Sequence, residues 1–576
     1  MYEYDLQTRK NFRSAWYPNF WDVLAFALVF FFFYVISDTL HSMRFASIEH
    51  SIDHINLDYT SLSKYALRSV VRMFLALFVS LMVTFFLGTL AARSAFWERI
   101  IIPLVDILQS APILGYLTLA ASLLTRYFPG QVAGYEVVAI FAIFTSQVWN
   151  MIFSFYQSLR MVPEHMHEAS ALMQLTKAQK FWRVEVPFAM PDLLMNVMVS
   201  LSTGWFYVVE SEAILTMYDQ RILLPGIGSY MWVANQQGNS SALFASVMAM
   251  FLVILAYDQL IFRPLTHFIR IYQADEEGTT GRSWFVNMVS RTRLFRSMML
   301  YGSGVLSYIM LLMFRYSRSV ASPEQFVISR RLLIYQRLSL LVIFVATVYA
   351  ASVMDLNKIP FTEIYLMLYV GLWTLLRIVV LLTVCVVLWT PVGVWIGSRP
   401  KVSDRLLPVI QFLAAFPPNL LYPMLMEYIL RYGLDVEIWC APLMILGTQW
   451  YILFNVISAV RSIPKETLYA IRSLRIRGWL LWRRLLIPVI APHLVTGSMA
   501  AAGGAWNAAI VAEIITWQGT TTKATGLGAY IYTAVTEGNA VHHVWAIAVM
   551  CFYVVVINRM FWNPLYRFVI KHYASV

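Results

Sequence analysis

The chain has 576 residues, 59% of them hydrophobic and only 13% charged. Soluble domains run near about 25% charged, so this balance excludes an ordinary soluble enzyme and marks a membrane protein. The net charge of +12 reads as the basic excess that holds cytoplasmic loops inside, so a lipid membrane and no nucleic acid is the expected partner.

In chain order, residues 1–20 mix acids and bases and lead into an apolar run with no small-residue cleavage site after it. That reads as an uncleaved first span. A span needs roughly 20 mostly apolar residues. Runs of this kind fall at 21–36, 70–91, 101–125, 137–155, 193–215 and 242–262. The second half repeats them at 338–353, 364–396, 407–430, 438–457, 494–515 and 544–561. Backbone groups in lipid must bond internally, so the runs are helices, and the alternating strands of a barrel are absent. The expected fold is an all-α polytopic membrane protein of about 12 transmembrane helices in two six-helix units. The units are residues 1–263 and 332–576, with a basic cytoplasmic linker over 264–331. Segment 297–314 inside that linker is long enough to span. Arg296 before it and Arg315 after it keep both ends in the cytoplasm, so it reads as an interfacial helix.

Cys385, Cys440 and Cys551 are isolated, which predicts neither a disulfide framework nor a metal site. His165, His167 and the pair His542–His543 lack a carboxylate or thiol cluster beside them and read as surface or interfacial histidines.

The halves align. Arg72, Gly88, Pro103 and Pro112 match Arg377, Gly393, Pro408 and Pro417 at an offset of 305. Pro163, Ala169, Pro187, Pro191, Trp205 and Glu212 match Pro464, Ala470, Pro488, Pro492, Trp506 and Glu513 at 301. Gly226-Ile-Gly228 matches Gly526-Leu-Gly528 at 300. The chain is therefore a duplicated six-span unit. An even number of spans makes both copies face the same way, related by an axis along the membrane normal. The natural substrate path is the seam between them.

After the fourth span of each half comes a polar, basic loop, 160–190 and 461–491, placed in the cytoplasm by its charges. Pro163 opens a first helix with Glu164 at its positive end. Thr176-Lys-Ala-Gln179 has the pattern of a capping box that starts a second. Such a helix pair docks into a groove on a soluble partner or packs on its own bundle.

Pro163-Glu-His-Met-His-Glu168-Ala169, followed by Phe181 and Val184-Glu-Val-Pro187, resembles the EAA loop of ABC-importer permeases. The resemblance implies a coupling helix that sits in a cleft of an ATPase subunit. It implies coupling roles for Pro163, Glu164, Glu168, Ala169, Gln174 and Pro187, and for Pro464, Glu466, Ala470, Arg475 and Pro488. The family's glycine is Gln174 here and Arg475 in the second copy, and its leading glutamate, kept as Glu168, is Tyr469 in the second. Loss of the glycine implies a different break between the helices. Ser69-Val-Val-Arg72, Thr374-Leu-Leu-Arg377, the paired Trp and Glu positions and the two Gly-x-Gly turns are together similar to the nitrate, sulfonate, taurine and bicarbonate branch. The whole chain resembles its duplicated, fused anion-type permeases, of the type I ABC-importer fold.

A phosphate-binding P-loop ends in Lys followed by Ser or Thr, and no lysine here is followed by either. The chain is expected to be no enzyme and to bind no cofactor, with ATP and Mg2+ held by a partner ATPase. Ionisable groups within spans are costly and often functional. Arg72 and Arg377 draw an anion toward the seam, snorkel to the outer interface, or hold a packing role. Glu210, Glu212 and Glu513 suit pairing with a cation or orienting a gate. Trp205 and Trp506 line the seam or pack, and Pro112 and Pro417 place bends where a path opens. A translocation path through Arg72, Pro112, Trp205, Glu212, Arg377, Pro417, Trp506 and Glu513 is the resulting expectation. The implied setting is the bacterial inner membrane, with two ATPase subunits below, a periplasmic solute-binding protein above, and a small solute, by resemblance an anion. The alternative is an ion-gradient-driven secondary transporter or channel without an ATPase.

Overall fold

A computed structural model describes residues 55–110, 132–213, 216–217, 220–221, 223–265, 359–461, 463, 465–517 and 520–573, with 19–27 and isolated positions elsewhere. Nearly all of the linker 264–331 with its helix 297–314, the span 338–353, most of 111–131 with Pro112, and Pro464 lie outside the described residues.

The first unit opens with α1 (Tyr59–Arg93), a 35-residue apolar helix. One face carries Ser69, Met73, Ala76, Ser80, Thr84 and Gly88, all buried at spacings of three or four, with buried Arg72 beside Met73. Its other face shows Phe78, Met82 and Phe86 outward. Lipid tails are as apolar as leucine, so membrane helices associate through small residues that let backbones approach. That explains why the small stripe turns inward and the phenylalanines turn out. α2 (Ala95–Ser110) follows. α3 (Val132–Arg160) packs on the small stripe, and a Cβ on Gly88 would lie 2.8 Å from Phe155. The polar loop supplies α4 (Glu164–Leu172) and α5 (Lys177–Lys180), then a π-turn at Phe181–Glu185 leads into α6 (Val186–Ala213). A short antiparallel hairpin, β1 (Thr216–Met217) with β2 (Gln220–Arg221), precedes α7 (Ile227–Gln236). α8 (Ser240–Tyr257) is capped by the Asn239 side chain and runs into a second π-turn, Asp258–Phe262.

The second unit repeats the plan. α9 (Phe361–Gly397) leads to α10 (Pro400–Ala415), a 3-10 turn at Pro418–Leu421 and α11 (Tyr422–Arg431). α12 (Val436–Leu446) and α13 (Gln449–Arg461) follow. α14 (Lys465–Ser473), α15 (Trp479–Leu481), a π-turn at Trp482–Leu486 and α16 (Ile487–Ala512) correspond to α4 through α6. Hairpin β3 (Ile514–Trp517) with β4 (Thr520–Lys523) precedes α17 (Leu527–Thr536). α18 (Ala540–Ile557), capped by Asn539, a π-turn at Asn558–Trp562 and α19 (Asn563–Tyr573) close the chain. Both copies place their π-turns and Asn caps at equivalent positions, so the duplication extends to the irregularities of the backbone.

Among the described residues six helices are long and apolar enough to cross a membrane, and three further helix pairs qualify as bent spans. The helical, two-unit architecture read from the sequence is the one observed, with the two short hairpins as an addition the sequence reading lacked. Two details differ from the expected straight spans. Span 407–430 is bent by 72° between Ala415 and Pro418, because Pro417-Pro418 cannot supply the backbone donors that would continue the helix. Span 438–457 is broken by 43° between Leu446 and Gln449, where α3 runs unbroken. Gly447 sits there, and a Cβ on it would meet the Pro418 ring at 2.7 Å. One buried cluster runs from Leu62 and Met73 in the first unit to Cys440 and Trp506 in the second, so the halves share a core.

Candidate functional site

The two polar loops form a pair of feet, one to each half. Thr176 N–H donates to Gln179 Oε1 (3.1 Å) and Gln179 N–H to Thr176 Oγ1 (3.3 Å), the reciprocal capping box expected from the sequence. The break before it is not the altered one that the missing glycine implied. Gln174 has φ +51° and Arg475 φ +53°, the two non-glycine residues with positive φ among those described. Leu175 N–H donates to Ser170 O (3.1 Å) and Gln174 N–H to Ala171 O (2.9 Å). This is the left-handed C-cap turn that glycine usually makes. The turn survives because its hydrogen bonds offset the roughly 1–2 kcal/mol that a side chain costs there. Exposed Leu172 and Met173, and Leu474 and Trp479 in the copy, are presented at the tips. Burial, then the neighbouring Lys180 charge, holds the His167 imidazole below its usual 6.5.

Each foot is tied to its bundle. Arg93 Nη2 contacts Glu185 Oε2 at 2.9 Å, and its guanidinium lies 5.1 Å over the Phe181 ring. The second foot uses an apolar joint instead, with Leu485, Leu486 and Ile490 buried against Val456 and Val460.

Near the far end of each bundle lies a clamp. Arg72 is fully buried and forks onto Glu136, Nε to Oε2 at 2.5 Å and Nη2 to Oε1 at 2.7 Å. Its Nη1 donates to Glu212 Oε1 (2.6 Å). Glu212 also accepts from Ser69 Oγ (2.7 Å) and from Gly228 N–H (2.9 Å). The copy repeats this: Glu513 accepts from Thr374 Oγ1 (2.7 Å), Arg377 Nη1 (3.2 Å), Gly528 N–H (2.8 Å) and Ala529 N–H (3.2 Å). Arg377 Nη2 pairs with Glu437. Each carboxylate sits on the free N–H groups at the start of α7 or α17, where the helix dipole favours an anion. A Cβ on Gly228 would lie 2.1 Å from Val209 O, and one on Gly528 2.4 Å from Ala509 O. Because backbone cannot step aside, Gly228→Ala and Gly528→Ala should each destabilise the protein by about 1–3 kcal/mol. A drop in detergent melting temperature reads this, and unchanged melting would refute the close approach.

The seam between the halves is built from other residues. Thr203 Oγ1 and Tyr451 OH lie 2.6 Å apart. Asn419 Nδ2 donates to Glu210 Oε1 (2.6 Å) and to Phe206 O (3.3 Å), with Glu210 and Asn419 both buried. Ile113 N–H donates to Asn507 Oδ1 (2.6 Å), and Phe251 and Phe412 meet edge to face at 4.9 Å. The seam is chemically lopsided, since the repeat equivalent of Glu210 is Val511 and that of Thr203 is Gly504.

The sequence profile of the family described as binding-protein-dependent transport system inner membrane component matches residues 84–262 and again 390–562. The chain belongs to this family. The permease is 24% identical over 175 residues to the nitrate import permease protein NrtB of Synechocystis sp., covering 30% of this chain and 58% of that one. It is 25% identical over 172 residues to the bicarbonate transport system permease protein CmpB of the same organism, covering 30% and 56%. It is also 26% identical over 138 residues to the multiple sugar-binding transport system permease protein MsmF of Streptococcus mutans, covering 22% and 43%. The permease thus spans little more than half the length of these relatives at most.

The residues expected along a path divide in the structure. Arg72 and Glu212 come together, as do Arg377 and Glu513, each pair inside its own half of the permease. The snorkelling reading of Arg72 is corrected, for its side chain is 0% exposed. Trp205 packs edge-on to Tyr257 (6.3 Å) and Trp506 stacks on Tyr553 (5.9 Å), again each within its half. Pro417 stands at the bend that carries Asn419 to the seam. Glu136 and Glu437 were missed. Their shared offset of 301 was the available signal.

Proposed function

We propose that this permease is the transmembrane subunit of an ATP-driven importer, with both halves of the pathway in one chain. The observation that supports this best is the pair of equivalent feet, each capped by the same left-handed turn and each fixed to its own bundle. A foot that cannot swing freely passes a push on to the helices above it. In this reading two ATPase subunits grip the feet through Pro163–Pro187 and the equivalent 464–488 loop, and ATP and Mg2+ belong to those chains. A solute-binding protein delivers solute on the opposite face. Closure of the ATPase pair draws the feet together, tilts the halves and switches the seam between outward and inward access.

The solute in this reading is a small anion, supported by the names of the nitrate and bicarbonate relatives. The paired hydroxyls of Thr203 and Tyr451 offer uncharged hydrogen-bonding groups for it. Glu210 favours a second reading, a neutral or cationic solute, because a carboxylate in a low-dielectric seam repels an anion. Solute-stimulated ATPase activity of the reconstituted complex, screened over nitrate, bicarbonate, sulfonates, sugars and amines, separates the two. The coupling role is tested by co-purification. ATPase subunits should be retained by the intact chain and lost when residues 164–187 are replaced by a flexible linker. Solute movement by the purified chain alone, down an ion gradient, would overturn the reading.

A further inference from the structure

We infer that the two feet dock into chemically different sockets, the second lined with carboxylates, and that the motor is therefore built from two non-identical ATPase chains. The inference rests on the coupling reading above and deepens it. Its basis is that the feet share one geometry and differ in surface chemistry. Both have a short first helix, a left-handed apex at Gln174 or Arg475, and a π-turn at Phe181–Glu185 or Trp482–Leu486. The side chains on that common frame diverge in sign. Loop 160–187 carries four basic and three acidic residues, whereas loop 461–488 carries seven basic and one acidic.

The divergence is concentrated where a socket would touch. The exposed apex is Gln174 in one foot and Arg475 in the other. Exposed Glu168 is replaced by exposed Tyr469, and the capping residue Thr176 by exposed Arg477. Trp479, exposed by 73%, stands where the first foot has the small Ala178. Positions turned toward the bundle keep their type, as with half-buried Phe181 and Trp482 or buried Val162 and Ile463. A groove shaped for a near-neutral foot with a flat tip leaves Arg475 and Arg477 without counter-charges and has no room for an indole. Burying unpaired charge at an interface costs more than the rest of a small contact returns. One groove does not serve both feet, and specificity of each foot for its own socket follows from the mismatch.

The test uses the full-length chain, tagged and purified from native membranes with its bound ATPase subunits. The expected result is two different ATPase polypeptides in equal amount. Arg475→Glu together with Arg477→Glu should deplete one polypeptide on the order of tenfold and spare the other. A chain carrying the 462–482 sequence in both loops, checked for folding by gel filtration, should retain only the polypeptide that recognises the basic foot. A single polypeptide occupying both feet of the unaltered chain would overturn the inference while leaving coupling intact. So would a double charge reversal that leaves ATPase composition unchanged and only weakens binding to anionic vesicles, since the arginines would then serve lipid. Absence of any bound ATPase polypeptide would instead overturn the coupling reading on which the inference stands.

Discussion

Arg72→Ala should destabilise the permease by about 3–5 kcal/mol, the cost of leaving buried carboxylates without their cation. Glu136 and Glu212 both lose the guanidinium that they bond, and both are almost wholly enclosed, at 6% and 0% side-chain exposure. The matching change in the second half should be milder. Glu437 is 43% exposed and turns to water once Arg377 is gone. Glu513 keeps Thr374 Oγ1 and the Gly528 and Ala529 amides. Arg377→Ala should therefore cost roughly 1–3 kcal/mol. Melting of the detergent-solubilised chain by intrinsic fluorescence orders the two variants. Adding Glu136→Gln to Arg72→Ala should recover part of the loss, because an uncompensated charge has been removed. If Arg377→Ala melts below Arg72→Ala, the assignment of the first clamp as the buried one is wrong. Arg72→Lys should not rescue, since an ammonium cannot fork onto Glu136 while also reaching Glu212.

That contrast also shows what could be read from the sequence. Periodicity and the regular offsets between copies were enough for two helical units, for the capping box at Thr176 and Gln179, and for the bend at Pro417-Pro418. These features are local or repeat along the chain, so they leave a mark in one dimension. The clamp needs three helices to converge, and nothing in the spacing of Arg72, Glu136 and Glu212 states that their side chains meet. Arg72 consequently stayed open between drawing an anion, snorkelling and packing, although its side chain is 0% exposed and bonded to two carboxylates. The seam was illegible for a related reason. Its contacts join unequal positions of the two copies, Thr203 with Tyr451 and Glu210 with Asn419, so comparison of the repeats passes over them. The π-turns have no residue signature at all. Their presence at equivalent places in both copies shows that helix register is set by packing on the bundle rather than by local preference.

The division of labour among these parts is physical. The clamps tie the starts of α7 and α17 and the ends of α6 and α16 to α1 or α9 of the same half, which stiffens each half. Among the described residues the halves meet through a shared apolar core and a few hydrogen bonds, a set with no arginine–carboxylate pair in it and so more exchangeable than the clamps. In the importer reading proposed above, a push arriving at the feet would meet stiff halves and a more compliant interface, and motion would be directed to the seam because resistance is least there.

Gln174→Pro should abolish most coupled transport while leaving the membrane bundle folded. Proline fixes φ near about −65°, and the first foot needs +51° at this residue. The substitution also removes the Gln174 N–H that caps Ala171 O and displaces the Leu175 bond to Ser170 O. A loss on the order of 3 kcal/mol falls on a helix of nine residues, Glu164–Leu172, too short to persist without its cap and its docking. The foot then frays, yet the joint made by Arg93, Glu185 and Phe181 lies beyond the break and remains. Melting of the chain should shift little, ATPase subunits should be retained less well, and solute-stimulated ATP hydrolysis should fall at least about tenfold. Gln174→Gly is the decisive companion. It keeps the turn, relieves the left-handed strain and should preserve transport. If proline were tolerated as well as glycine, the shape of this turn would not matter to coupling, and the foot would have to act through charge or sequence alone.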